Sequence, residues 1–253
     1  MKKITGWVGT AIAIFLFISG GAFADEVKVA GGGAAINTVF KPVAPYFEKA
    51  TGIYLVSTQS TPKDGLVSLL NGSADAATAA VPLQSMIRGA EKDGLKVDPA
   101  ALQQLEIATG KTVVLVHPSN PVTKLSKDAL KGIFTGKITN WKQVGGPDRD
   151  IMVVWGKKSP GQNALFTKVI LDGEAVVKEV LDTTDYFGIK QNVGSNPEAI
   201  GIDPLGVADA TVKVVESPEV TSPIIIVTKG APSANVKKLI DFIKGDGKQY
   251  IRQ

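Results

Sequence analysis

The chain has 253 residues, a formal net charge of +4, one histidine and no cysteine. Its 28 lysines and arginines barely outnumber its 24 acidic residues, which argues against a nucleic-acid or membrane-surface partner. The lack of cysteine excludes a disulfide framework and thiolate sites. Because Walker and Gly-x-Ser-x-Gly motifs are also absent, we expect no enzyme activity, no cofactor and no metal site.

The first 24 residues have the layout of an export signal. Lys2 and Lys3 precede an apolar segment at 8–18, and residues 22–24 read Ala-Phe-Ala, a small-x-small cleavage motif. The apolar segment is shorter than the roughly 20 residues that a spanning helix needs, which favours cleavage over a membrane anchor. We therefore expect a periplasmic protein, secreted through a cleaved N-terminal signal peptide at residues 1–24. Loss of the two lysines would lower the net charge to about +2.

Residues 25–114 alternate between strand-like and helix-like segments. Strands are predicted over 26–30, 53–58 and 75–80, and helices over 37–50 and from the turn at 61–65 to residue 70. This β-α-β-α-β order predicts parallel strands with right-handed crossovers. The loops that follow the strands are then expected to gather at one edge of the sheet.

The alternation continues to the end of the chain. Strands are predicted over 112–117, 150–155 and 222–228, and helices over 126–134, from 159–160 onward, and over 174–181, 196–201 and 234–244. The strands at 112–117 and 222–228 are predicted to cross between two domains. Domain one would comprise residues 25–114 plus 222–253, and domain two residues 115–221. The predicted fold is α/β, a two-domain clamp with mainly parallel sheets and two crossover strands.

Residues 125–166 carry the most specific pattern in the chain. Leu125-Ser126 is followed by Ile-Phe-Thr-Gly-Lys-Ile-Thr-Asn-Trp at 133–141, a strand, and then Ser159-Pro160-Gly161-Gln162. This run resembles the signature region of the phosphate-type periplasmic solute-binding proteins of ABC importers, although that family has Ser-Gly-Thr where residues 160–162 stand here. The resemblance covers most of the chain after residue 24. It implies a class II periplasmic-binding-protein fold, a monomer, and an ABC permease in the inner membrane as partner.

Three strand-to-helix loops, at 31–37, 59–64 and 156–163, are expected to face the interdomain cleft. Each presents free backbone N–H groups and the positive end of a helix dipole, which suits a small polar or anionic ligand. Ser159 is expected to cap the third helix, which leaves Gln162 and Asn163 free for the ligand. The predicted ligand contacts are small or polar: Ala34, Ala35, Ser60, Thr61, Lys158, Ser159, Gly161, Gln162 and Asn163.

The resemblance also implies that the family's phosphate contacts are largely replaced. The first-loop hydroxyl falls on Ala34 or Ala35, the aspartate before Pro-Leu on Ala80, and the arginine on Gly156. The second-loop serine falls near Ser60, Thr61 or Pro62, the one place where a hydroxyl of the family's site could be kept. Phosphate needs charge-assisted donors, and its monohydrogen form needs an acceptor, so high-affinity phosphate binding is not expected.

Two functions therefore remain open from the sequence. The first is a solute-binding protein that delivers a small polar or anionic ligand other than phosphate to an importer. The alternative is a periplasmic interaction or sensor protein that keeps the fold without small-ligand transport.

Overall fold

The computed structural model describes residues 25–157, 159–184 and 186–252. The predicted signal peptide at residues 1–24 lies outside the described residues. Within the described ranges, no helix has both the length and the apolar character needed to cross a membrane.

A single eight-stranded sheet runs through the described part of the chain. Its strands are β1 Glu26–Gly32, β2 Tyr54–Ser60, β3 Ala76–Ala79, β4 Leu102–Val116, β5 Met152–Gly156, β6 Leu181–Thr183, β7 Ala199–Pro204 and β8 Lys213–Lys229. Their order across the sheet is β2-β1-β3-β8-β4-β7-β5-β6. The pairs β1–β2, β1–β3, β5–β6 and β5–β7 are parallel, and the others are antiparallel. The α/β class is confirmed, and the sheet is mixed because β4 and β8 run antiparallel to their neighbours.

The strands β4 and β8 are the two connections between the halves of the clamp. They pair with each other over most of their length, while β8 also pairs with β3 and β4 with β7. The predicted crossover strands at 112–117 and 222–228 are parts of these longer strands. The first part of β4 escaped prediction because residues 103–106 are polar or exposed and show no clean apolar alternation.

The helices cover both faces of the sheet. They are α1 Gly33–Ala35, α2 Lys41–Thr51, α3 Pro62–Leu70, α4 Leu83–Lys92, α5 Lys127–Phe134, α6 Pro160–Val169, α7 Tyr186–Ser195 and α8 Ala234–Lys244. A π-helical segment, Ile36–Phe40, joins α1 to α2 without a break. Short 3₁₀ turns occur at Pro99–Ala101, Trp141–Val144, Leu205–Val207 and Asp246–Tyr250.

Two predicted helices are wrong. The segment predicted as helix at 174–181 is irregular and leads into β6, and the one at 196–201 leads into β7. Tertiary hydrogen bonds override the local preference: Val177 N–H donates to the Phe134 carbonyl at 2.8 Å, and β7 pairs with both β4 and β5. The helices α4 and α7 were not predicted.

The hydrophobic core divides into two parts that define the domains used below. In domain one, Phe40 and Phe47 pack between β1 and α8, and Leu66 and Met86 pack on the opposite face of the sheet. In domain two, Trp141 and its neighbours pack beside α5 and α6, and a smaller cluster packs beside α7. Since each sheet face is covered in both domains, the loops at the strand ends are left to form the site.

Pro42 leaves a backbone carbonyl free to bind Arg252, near the end of the described residues. Proline has no N–H, so the carbonyl of Thr38, four residues earlier, lacks its usual helical partner. The backbone N–H of Arg252 donates to this carbonyl at 3.1 Å. The last described residues are thereby held against the start of α2.

Helix α3 approaches β1 so closely that position 65 requires glycine. A Cβ at Gly65 would lie 2.5 Å from the Gly31 Cα and 2.6 Å from the Ala30 carbonyl oxygen. Gly65→Ala should therefore lower the free energy of unfolding by about 1–3 kcal/mol through overpacking, although alanine favours a helix.

Gly89→Ala is the matched control, because in α4 the nearest atom to the new methyl group is the Lys63 Cβ at 3.2 Å, which a shift of a few tenths of an ångström relieves. Urea denaturation should find it neutral or stabilising. If the two variants had equal stability, close backbone contact between α3 and β1 would not be the constraint.

Candidate functional site

The three loops predicted to converge contribute to one small cavity between the domains. Its volume is about 30 Å³, and it is lined by Gly32, Gly33, Ala34, Ser60, Pro62, Ala80, Val81, Pro160, Gly161, Gln162 and Tyr186. A second cavity of about 20 Å³ shares Ala34, Ala80 and Gln162 and extends to Thr38 and Lys111. Cavities of this size hold only one or two water molecules, so the cleft is closed.

Two glycines, Gly33 and Gly161, permit this closure because they have no side chain. A Cβ at Gly33 in domain one would lie 2.5 Å from Cε2 of Tyr186 in domain two. A Cβ at Gly161 in domain two would lie 2.6 Å from Cγ1 of Val81 in domain one. Both contacts cross the cleft, so glycine at these two positions lets the domains meet.

Ser159 has a different role from the predicted helix cap. Its side chain makes no capping hydrogen bond, because the residue adopts φ −114° and ψ 44° rather than the extended backbone typical of a capping serine. The hydroxyl is buried and makes no hydrogen bond of normal geometry among the described residues. A Cβ at Gly156 would lie 2.9 Å from this oxygen. Glycine at 156, where the resemblance places the family's arginine, therefore leaves room for an inward-facing hydroxyl.

Gln162 presents an unused acceptor to the cavity. Its side-chain N–H donates to the Ile202 carbonyl at 2.9 Å, which fixes the amide orientation. The Oε1 oxygen is buried and has no hydrogen-bond partner in the described structure. Asn163 is less available, because its side-chain N–H donates to the Gly156 carbonyl at 2.8 Å and it does not line the cavity.

The other predicted contacts divide between the cavity and its surroundings. Ala34 and Ser60 line the cavity, and the Ser60 hydroxyl donates to the Thr61 carbonyl at 3.1 Å. Thr61 instead caps α3 through its side-chain oxygen. Ala35 is buried in the domain-one core. Lys158 lies outside the described residues.

Tyr186 is the cavity residue that the sequence did not reveal. It is only 7% exposed, and burial raises the pKa of its phenol to about 12. The nearby carboxylate of Asp203 raises this pKa further. The Ser159 hydroxyl and the backbone of Ala34 lower it. At neutral pH the phenol is therefore protonated. Its proximity to both Ser159 and Ala34 places it between the domains.

The cavity lining offers little charge. Among the described residues that line the two cavities, Lys111 is the one with an ionisable charged side chain, and its ammonium lies 3.4 Å from Glu219. The remaining groups are hydroxyls, an amide oxygen, backbone and small apolar side chains. This chemistry suits a ligand that both donates and accepts hydrogen bonds more than one that needs a charged clamp.

The comparisons of the sequence with known proteins lead to one family. A family model described as a PBP superfamily domain matches residues 19–246. The chain is 38% identical over 111 residues to the phosphate-binding protein PstS of Bacillus subtilis, covering 44% of this chain and 36% of that protein. It is 28% identical over 214 residues to PstS of Staphylococcus saprophyticus, covering 79% of this chain and 65% of that protein.

A solved structure is similar over almost its whole length. The putative phosphate ABC transporter substrate-binding protein of Clostridium perfringens, determined with bound phosphate, superposes with a TM-score of 0.74 at 25% identity. The match covers 89% of this chain and 96% of that one. The curated relatives are matched over only about a third to two-thirds of their length.

The predicted class II clamp and the resemblance in the signature region are both confirmed by these matches. The family consists of substrate-binding proteins of ABC transporters and not of enzymes. Since the family model spans most of the sequence, the chain belongs to the PBP superfamily, among the phosphate-type periplasmic binding proteins.

Proposed function

We propose that this protein is the solute-binding component of an ABC importer and captures a small polar or anionic solute, without high affinity for phosphate. The observation that carries the proposal is the closed cavity in which Ala34 and Ser60 of one domain face Gln162 and Tyr186 of the other. A ligand that contacts both domains stabilises the closed state relative to the open one. Binding and closure are then a single event.

The two connecting strands supply the hinge in this proposal. Domain one comprises residues 25–114 plus 222–253, and domain two residues 115–221. In β8 the core changes from domain two to domain one between Val220 and Ile224, which supports the boundary at residues 221–222. In β4 it changes between Ile107 and Val113, slightly before the proposed boundary at residue 114. The pairing register of β4 shifts between Thr112 and Val114, and such an irregularity bends a strand locally.

The chemistry of the lining argues against tight phosphate binding. Ala80 stands in the lining where the resemblance places an aspartate, and Gly156 where it places an arginine. Removing one partner of a buried charged hydrogen bond costs about 2–5 kcal/mol, and each 1.4 kcal/mol is about tenfold in affinity. The inward-facing Oε1 of Gln162 favours a solute with a hydrogen-bond donor.

A second candidate function is a periplasmic sensor or interaction protein without solute transport. The observation that favours it is the small volume of the closed cavity, about 30 Å³, into which Tyr186 projects from domain two. A protein that closes on its own side chains needs no solute to hold its shape.

The proposed function places the protein in the periplasm, with an inner-membrane permease as its partner. The protein is secreted through a cleaved signal peptide into the periplasm, acts there as a monomer, and passes its solute to an inner-membrane permease. The export-like sequence of residues 1–24 supports this location.

Thermal denaturation with a panel of solutes separates the two functions and tests the exclusion of phosphate. One small polar or anionic metabolite should stabilise the protein by about 2.7 kcal/mol when present at about 100 times its dissociation constant. Phosphate should bind in the millimolar range or not at all when titrated by calorimetry. Micromolar phosphate affinity would contradict the exclusion, and no stabilisation by any solute would favour the sensor.

Gln162→Ala tests the location of the site. It should weaken binding of the solute found in the panel by about 1–3 kcal/mol, because a buried partner loses its hydrogen bond. It should also reduce stability by about 1 kcal/mol, since the Ile202 carbonyl loses its donor. Urea denaturation and calorimetry measure the two effects separately.

Lys168→Ala is the control on the same helix, because this lysine is exposed and outside both cavities. It should change neither stability nor affinity. If Gln162→Ala bound the solute as tightly as this control, the solute would occupy another site.

A further inference from the structure

A third and much larger cavity lies at the edge of the boundary between the domains. This seam pocket has a volume of about 300 Å³. Asn37, Lys41 and Arg252 contribute from domain one, and Phe187, Lys190 and Asp209 from domain two. Like the cleft cavity, it is built by both domains, so an occupant would contact both.

The seam pocket carries more positive than negative charge. Three basic side chains line it with a single carboxylate, Asp209, whose oxygen lies 2.6 Å from the Lys190 ammonium. Lys190 is the first cause of a pKa for Asp209 well below its usual range, so this carboxylate stays ionised. In the described part of the chain, no carboxylate forms an ion pair with Lys41 or Arg252.

These basic groups are held in place by specific contacts. The Lys41 ammonium donates to the buried Asn37 side-chain oxygen at 3.0 Å and lies 5.4 Å from the centre of the Phe187 ring. Lys190 lies over the same ring at 5.7 Å. Arg252 is fixed through its backbone at the start of α2, and its guanidinium donates to the Gly206 carbonyl at 3.4 Å. An anion therefore meets cations that are already positioned.

We infer that the seam pocket binds a small soluble polyanion with two or more phosphate or carboxylate groups. A singly charged solute would leave either Lys41 or Arg252 without a partner, whereas a polyanion pairs with both. The volume of about 300 Å³ is at the lower end of the range typical of small-molecule sites. This inference does not depend on which solute occupies the cleft.

The seam pocket is joined to the cleft through Asn37. The side-chain N–H of Asn37 donates to the Gly33 carbonyl at 2.8 Å and to Gln59 at 3.0 Å, while its oxygen accepts from Lys41. Gly33 lies in the first cleft loop, directly against Tyr186. A polyanion on Lys41 thus acts on the residue that holds this loop, and by bridging the domains it favours the closed state.

Calorimetric titration with inorganic pyrophosphate at low ionic strength tests the inference. The intact protein should bind pyrophosphate, and Lys41→Ala and Arg252→Ala should each weaken binding by about tenfold or more through loss of a charge-assisted hydrogen bond. Lys49→Ala is the matched control, because this exposed lysine lies on the same helix as Lys41 but outside the pocket. The Lys49→Ala variant should bind pyrophosphate as tightly as the unsubstituted protein. Added salt should weaken pyrophosphate binding by both of these proteins.

Three outcomes would overturn the inference: no pyrophosphate binding by the unsubstituted protein, unchanged binding by both pocket variants, or loss of binding only in Gln162→Ala. The last would place pyrophosphate in the cleft. Lys41→Gln, which keeps the bulk of the side chain, should also weaken binding if charge is the cause. Because the solute panel tests the cleft separately, failure of the seam pocket would leave the proposed transport function standing.

Discussion

The close approach of the two domains over glycine backbone is the constraint on which the rest of the site depends. The ring of Tyr186 packs against Gly33, and the side chain of Val81 packs against Gly161. Both contacts are so close that they leave no space for a Cβ at either glycine. The contacts bring three loop ends around one small cavity and create a larger one at the seam. Both cavities are therefore lined by residues of the two domains.

The described residues that line the cleft cavity between Ala34 and Gln162 include no charged side chain. Gly156 makes room for the Ser159 hydroxyl, and the hydrogen bond from Gln162 to Ile202 points an amide oxygen inward. Tyr186, whose pKa is raised by burial, adds a phenol close to Ser159 and Ala34. Such groups select a solute by hydrogen-bond pattern, whereas a charged clamp selects it by net charge.

The fold and the three loops could be predicted from the sequence because they depend on local patterns. Apolar periodicity located α2 and α5, and the signature at 133–141 identified the family. The predictions that were wrong or missing concern features that depend on contacts between residues distant in the sequence. Tyr186 was missed because α7 was not predicted, and Ser159 was assigned as a cap because capping is its usual role before proline. The segment at 174–181 is held by a backbone hydrogen bond to Phe134 that local sequence does not encode.

Domain closure is measured most directly by the distance between two spin labels. The chain has no cysteine, so Asp64→Cys and Lys157→Cys, at exposed positions on opposite domains, would carry the only labels. The account predicts a short distance in this background and a longer one when Gly33→Ala is added, because the new methyl group meets Tyr186. An identical distance distribution in both proteins would show that contact between Gly33 and Tyr186 does not control closure.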